Sequence, residues 1–169
     1  MQTEMGELVV GAYLKLCLGC AFVDYNVRPP GGGLKGLGEL DVIGLDPDSG
    51  SAFLCEVTTH LRGLLYVSNA ETVKRIRKKH ERQREYVKAQ LSQFSNIRFM
   101  FWSPVVPVGY ITEHLTEIEG LELVINQDYA SKVEELRALA KTSSHDSGND
   151  FFRVLQILEH LRHGKPPAG

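Results

Sequence analysis

Asp41 and Glu56 are acids set inside otherwise apolar, strand-like runs: Leu40, Val42 and Ile43 flank the first, while Phe53, Leu54, Cys55 and Val57 flank the second. Between the runs lies Asp46-Pro47-Asp48-Ser49-Gly50, a set of residue types that favours a tight turn. A turn centred between Asp48 and Ser49 folds residues 39–45 against 52–58 as an antiparallel hairpin and sets Asp41 directly opposite Glu56. Opposed side chains share a face, with Cβ atoms about 4.5–5.5 Å apart. Two carboxylates at that spacing repel when both are ionised, which raises one pKa unless a cation stands between them. A divalent ion relieves the conflict, and an all-oxygen site open to water and phosphate suits Mg²⁺ or Mn²⁺ better than zinc. The competing reading is a pair of exposed edge carboxylates that hold no ligand.

The elements that must position this pair can be read from periodicity. Residues 3–19 place Leu8, Tyr13, Leu14, Leu16 and Leu18 among good helix formers, which predicts a mostly buried first helix ended by Gly19. Residues 21–28 read as a strand closed by Pro29-Pro30. Residues 31–38 hold five glycines in eight positions, which predicts a mobile loop; without a following helix or a Gly-Lys-Ser/Thr ending they are not a phosphate-binding P-loop. A long helix is expected over 68–94, with Ser68 or Asn69 as N-cap and Glu71 in its first turn. Then come a buried strand at 97–102, a helix at 110–118, a strand at 121–125 and a helix at 127–140. After a polar linker at 142–149, a last helix carries the stripe Phe151, Phe152, Leu155, Leu158 and Leu161. This order predicts an α/β fold with a mixed sheet, an antiparallel meander extended by parallel crossovers.

Composition sets the outer bounds. At 43% hydrophobic and 24% charged residues, a chain of 169 residues falls in the range of one globular domain, expected to span 1–169. The longest apolar stretch, residues 8–22, is broken by Lys15 and is shorter than the roughly 20 residues needed to cross a bilayer, so no membrane span is expected. The first ten residues lack the basic and small-residue signature of a secretory signal, which points to a cytoplasmic chain. Cys17 and Cys20 have the spacing of half a zinc site, but no second pair completes it, and two buried thiols at a helix end are the preferred reading. Charge is uneven: residues 62–88 carry +6 while the remainder sums to −8. Such a segment is either a solvated helix face or a face for a polyanionic partner.

Taken together, Glu7 on the first helix, Asp41 in Gly38-Glu39-Leu40-Asp41-Val42-Ile43 and Glu56 in Phe53-Leu54-Cys55-Glu56-Val57-Thr58 resemble the PD-(D/E)xK nuclease superfamily. This is the restriction-endonuclease-like fold shared by Holliday-junction resolvases and repair nucleases, and the order of elements is similar from residue 3 to about 102. The resemblance implies a three-layer core over about 3–126, with C-terminal helices over about 127–163. It also implies a metal-dependent nuclease acting on DNA, with Asp41 and Glu56 binding Mg²⁺ or Mn²⁺, Val57 adding its backbone carbonyl and Glu7 supporting the site. A homodimer is a further implication, because related enzymes pair two sites to cut two strands.

Thr58 departs from the family pattern, which usually has lysine two residues after the acid to orient or deprotonate the attacking water. Its hydroxyl can hold a water but carries no charge. A replacement from the long helix is expected, with Gln83 or His80 reaching the scissile phosphate, or Lys74, Lys78 or Lys79 supplying the ammonium; Gln83 and His80 also fit as satisfied boundary residues. Lys35, Arg62, Lys74, Arg75, Lys78, Lys79 and Arg82 are the expected phosphate contacts, which position nucleic acid without reading its sequence. The alternative function is a catalytically inactive nuclease-fold module that binds nucleic acid or a protein partner. Trp102 ends a core strand and is assigned to packing.

Overall fold

The computed structural model describes residues 3–30 and 39–163. Lys35 and the glycine-rich stretch lie outside the described residues.

The hairpin forms at the expected register. β2 (Leu40–Asp46) and β3 (Ser51–Val57) run antiparallel, and the partners Val42↔Cys55, Ile43↔Leu54 and Asp46↔Ser51 place the turn between Asp48 and Ser49. The turn is fastened by the Gly50 amide, which donates to the Pro47 carbonyl, and by Gly50 itself, whose φ of 64° suits a residue without Cβ. β1 (Phe22–Val27) adds antiparallel to the free edge of β2. β4 (Asn96–Ser103) and β5 (Leu121–Ile125) extend the other side in parallel, giving a mixed sheet in the order β1-β2-β3-β4-β5.

Parallel strands require crossovers, and helices supply them. α2 (Asn69–Gln90) links β3 to β4, and α3 (Tyr110–Thr116) links β4 to β5. Ser68 caps α2 as expected, its hydroxyl accepting from the Glu71 amide at 3.2 Å. α1 (Met5–Leu16), α4 (Gln127–Thr142) and α5 (Asp150–His163) complete the fold.

Side-chain alternation along the strands sorts the core onto two faces. Val42, Phe53, Cys55, Met100, Trp102 and Val124 pack against α1, α4 and α5. On the opposite face, Phe101 packs with Val73 and Ile76 of α2 and with α3, while Ile43, Ala52 and Leu54 meet the C-terminal half of α2. Glu56 follows Ala52 and Leu54 at the strand period of two, so it points toward α2. Trp102 is fully buried between Tyr13 and Tyr129, in keeping with a packing role.

Two expectations need correction. The first helix stops at Leu16 rather than at Gly19, since the Leu18 and Cys20 amides turn back onto the Tyr13 and Leu14 carbonyls. On α5 the buried face runs Phe152, Leu155, Gln156 and Glu159, leaving Leu158 and Leu161 exposed. Two long-range polar anchors set that rotation: the Gln156 amide donates to the Ser143 and His145 carbonyls, and Arg137 of α4 donates to Glu159 at 2.8 Å. Cys17 and Cys20 are free thiols, each pushed up to about 11 mainly by burial, as suits packing rather than redox chemistry.

No helix among the described residues is long and apolar enough to cross a membrane.

Candidate functional site

Five elements bring polar side chains to the same end of the hairpin. Asp41, the second residue of β2, accepts a hydrogen bond from the Val57 amide at 2.8 Å and so clips the ends of β2 and β3 together. Glu56 is buried next to Val57, and the Lys79 ammonium of α2 reaches down to form an ion pair with its Oε1. The lysine side chain is 37% exposed and the glutamate 4%, so the pair joins the surface of α2 to the floor beneath it.

Burial dominates the electrostatics. Desolvation raises the Asp41 carboxyl above the ordinary aspartate range, opposed by the charge of Lys79 and by the Val57 amide. The Lys79 ammonium is pushed below the ordinary lysine range by the same desolvation, with the Asp41 charge pulling it back up and Arg82 pressing it further down. Neither group therefore carries its charge without cost, a condition found more often at functional sites than in ordinary surface pairs.

Glu7 enters from α1. A close approach at Gly6 allows it: a Cβ there would run into the Thr59 methyl and crowd Val57, so glycine lets the helix start lie against the end of β3. The Glu7 carboxylate accepts from the Glu4 amide at 2.9 Å and from the Asn26 side-chain amide at 3.1 Å. Burial raises its pKa, those two hydrogen bonds lower it, and the Asp41 charge raises it further, so the two acids feel each other.

Above this floor opens a cleft of about 520 Å³ lined by Glu56, Thr58, Tyr66, Glu71 and five cations, Lys74, Arg75, Lys78, Lys79 and Arg82. All five cations were expected on sequence grounds as phosphate contacts, and α2 aligns them over one groove. Arg62 is exposed on the turn between His60 and Gly63 that follows β3, outside the cleft lining.

The two polar intruders on α2 do not reach into the cleft. His80 is 3% exposed; its ring meets Phe99 edge-on and its Nε2 lies 3.1 Å from the Glu119 carbonyl. Gln83, 1% exposed, donates to the Leu54 carbonyl at 3.3 Å and so lies beneath the groove rather than along it. The expectation that either reaches a phosphate is corrected by this rotation of α2, which turns Lys79 toward Glu56 instead.

Lys79 was one of three unranked lysines in the sequence. The signal that could have ranked it is helical: Lys79 lies three residues after Ile76 and four before Gln83, both buried, so its stem starts on the sheet side of α2. The roles of Asn26, Tyr66 and Glu71 had no local sequence signal.

The donor set can be tested against a divalent cation. Among the described residues no group of three or more His, Cys, Asp or Glu side chains converges as a protein-only cage. Mg²⁺ does not require one, since it is commonly held by one or two carboxylates with water and substrate phosphate completing the shell. Asp41 and Glu56 provide that number and type of oxygen. Thr58 adds a pointer to an absent polar partner: it lines the cleft, yet its buried hydroxyl has no hydrogen-bond partner among the described residues. These residues fit a hard cation with water and phosphate.

Compared with protein-family models, with curated proteins and with solved structures, the chain matches none of them.

Proposed function

We propose that this chain has a restriction-endonuclease-like core and is a metal-dependent nuclease that hydrolyses the phosphodiester bonds of DNA. One observation carries the reading: the ion pair of buried Glu56 with half-buried Lys79 lies in a cleft that Lys74, Arg75, Lys78 and Arg82 also line, with Asp41 opposite Glu56 on β2. Cations along a groove suit a phosphate backbone, and a carboxylate among them, Glu56, supports metal-assisted work on one of those phosphates.

In this reading Asp41 and Glu56 would hold Mg²⁺ or Mn²⁺, the Val57 carbonyl would contribute from the strand end, and Glu7 would support the site from α1. The cation, when bound, supplies Lewis-acid polarisation of the phosphate and lowers the pKa of water. The Thr58 hydroxyl orients the attacking water. Lys79 takes the part left vacant by Thr58: its depressed pKa lets it release and accept a proton more readily than a solvated lysine, and while protonated it faces the charge developing on the phosphate. Lys74, Arg75, Lys78 and Arg82 position the strand.

The second reading is a catalytically inactive module of the same fold. It is favoured by the ion pair itself, because Lys79 satisfies Glu56 without any metal. The experiment that separates the two incubates the protein with linear, branched and single-stranded DNA in Mn²⁺, Mg²⁺ or EDTA, beside the Asp41→Ala/Glu56→Ala variant. Cleavage by the wild type alone, abolished by EDTA, is the outcome expected of the enzyme. Binding without cleavage, equal in wild type and variant, is the outcome expected of the module.

A further inference from the structure

The loop between β3 and α2 leaves and re-enters the cleft: Thr58 at its start and Tyr66 near its end both line it. Its middle is anchored, because Leu64 is fully buried and its amide donates to the Val105 carbonyl at 2.9 Å. The side chains around that anchor point outward instead. Leu61 is 77% exposed, Leu65 52% and Val67 89%. The adjoining 104–109 segment, against which Gly63 packs at Pro107, adds Val108 at 90%.

Val67 is held at a cost. Its φ of 51° is in the left-handed region, which a β-branched residue rarely adopts. The Ser68 amide closes a three-residue turn onto the Tyr66 carbonyl, and Thr72, fully buried, braces it by accepting from the Tyr66 amide at 2.8 Å and donating to the Ser68 carbonyl at 2.8 Å. A strained apolar side chain thrust into water beside a functional groove is a candidate for contact with what the groove binds. The neighbouring Tyr66 ring is kept rigid by the Arg75 guanidinium over one face at 4.9 Å and by His60 at its edge.

We infer that this apolar rim of Leu61, Leu65 and Val67 receives unstacked bases, so that the preferred substrate is nucleic acid with a single-stranded or frayed segment whose phosphates run through the cationic cleft. The inference rests on the nuclease reading and names its substrate class. The chemistry is complementary on both counts: a single strand offers anionic phosphates on one side and apolar base faces on the other, whereas a duplex hides those faces in its stack. An anionic lipid surface shares the two chemistries but is flat, and the five cations line a concave groove with Glu56 at its floor, a shape that a strand can enter and a headgroup plane cannot.

The test is fluorescence anisotropy in EDTA, with labelled oligothymidylate and a fully paired duplex of equal length as probes, for wild type, Leu65→Ser/Val67→Gly and Lys74→Ala/Lys78→Ala. Glycine accepts the left-handed backbone at 67, so a melting curve at or above that of the wild type certifies the fold; Leu61→Ser is the second rim variant. The expected result is a wild type that prefers the single strand, with the ratio of single-strand to duplex affinity falling roughly tenfold in the rim variants. An unchanged ratio, or a wild type that prefers the duplex, overturns the inference. If the lysine variant then still loses binding, the nuclease reading survives alone. Absence of binding to either probe overturns both, and binding instead to phosphatidylserine vesicles, lost in the rim variants, assigns the rim to a membrane.

Discussion

Asp41 and Lys79 both hold charge in a place that penalises it, and this has a thermodynamic signature. A raised carboxyl pKa means that the folded chain binds the proton more tightly than the unfolded chain does. The protonated form therefore favours folding below the unfolded aspartate value of about 3.9, and that advantage is lost as pH rises through the folded pKa. Asp41→Asn removes the penalty while leaving an oxygen to accept from the Val57 amide. In EDTA at pH 7 its melting temperature is expected to equal or exceed that of the wild type, with the gap closing as the pH drops below about 4. Scanning fluorimetry across pH checks this, and a clear loss of stability at pH 7 would show that the Asp41 charge itself stabilises the fold. The opposed placement of Asp41 and Glu56 was legible because two acids interrupting apolar strands around a strong turn is a local pattern. The partner of Glu56 was not, since Lys79 is 23 positions away and its meeting with Glu56 depends on how α2 is rotated over the sheet.

At the scale of elements, local chemistry carried much of the fold into the sequence. Turn residues fixed the β2–β3 register, Ser68 fixed the start of α2, and Leu121–Ile125 formed the strand expected of it. The failures came where distant polar groups decide. The rotation of α5 follows from Gln156 and Glu159 finding partners on or near α4, and the burial of Gln83 follows from the Leu54 carbonyl. The seat of α1, which carries Glu7, depends on a contact no periodicity reveals: a Cβ at Gly11 would overlap the Tyr25 ring of β1. Gly11→Ala is expected to destabilise the chain by about 1–3 kcal/mol, despite the better helix propensity of alanine. At about 2–4 °C per kcal/mol for a chain of this size, the loss is visible as a lowered melting temperature. An unchanged or raised melting temperature would mean that Tyr25 moves aside freely and that α1 is loosely seated.

Across the whole molecule, an overall charge of −2 conceals a cationic groove, because the acids are spread over the rest of the chain while residues 62–88 concentrate the bases. Composition made this asymmetry visible, but not that five of the α2 cations, Lys74, Arg75, Lys78, Lys79 and Arg82, line one cleft with Glu56, since that depends on how the helix is rotated over the sheet. With Lys79 engaged by Glu56, the other four cations and a share of Lys79 remain for phosphates. The logarithm of affinity for single-stranded DNA is then expected to fall with the logarithm of salt concentration with a slope of about −3. Lys74→Ala/Lys78→Ala should flatten that slope by about 1.4. A slope near zero in the wild type would return the basic helix to plain solvation.

The central claim is that Lys79 on α2 performs the task that Thr58 cannot, and a reciprocal swap tests it most directly. The measurement is the single-turnover rate of DNA cleavage in Mn²⁺ for wild type, Lys79→Ala and Lys79→Ala/Thr58→Lys. Cleavage by the wild type, a fall of about 10²–10⁴-fold on removing Lys79, and partial recovery when lysine is restored at position 58 are the expected results. A Lys79→Ala variant that cleaves at the wild-type rate, or a wild type that does not cleave at all, would contradict the account.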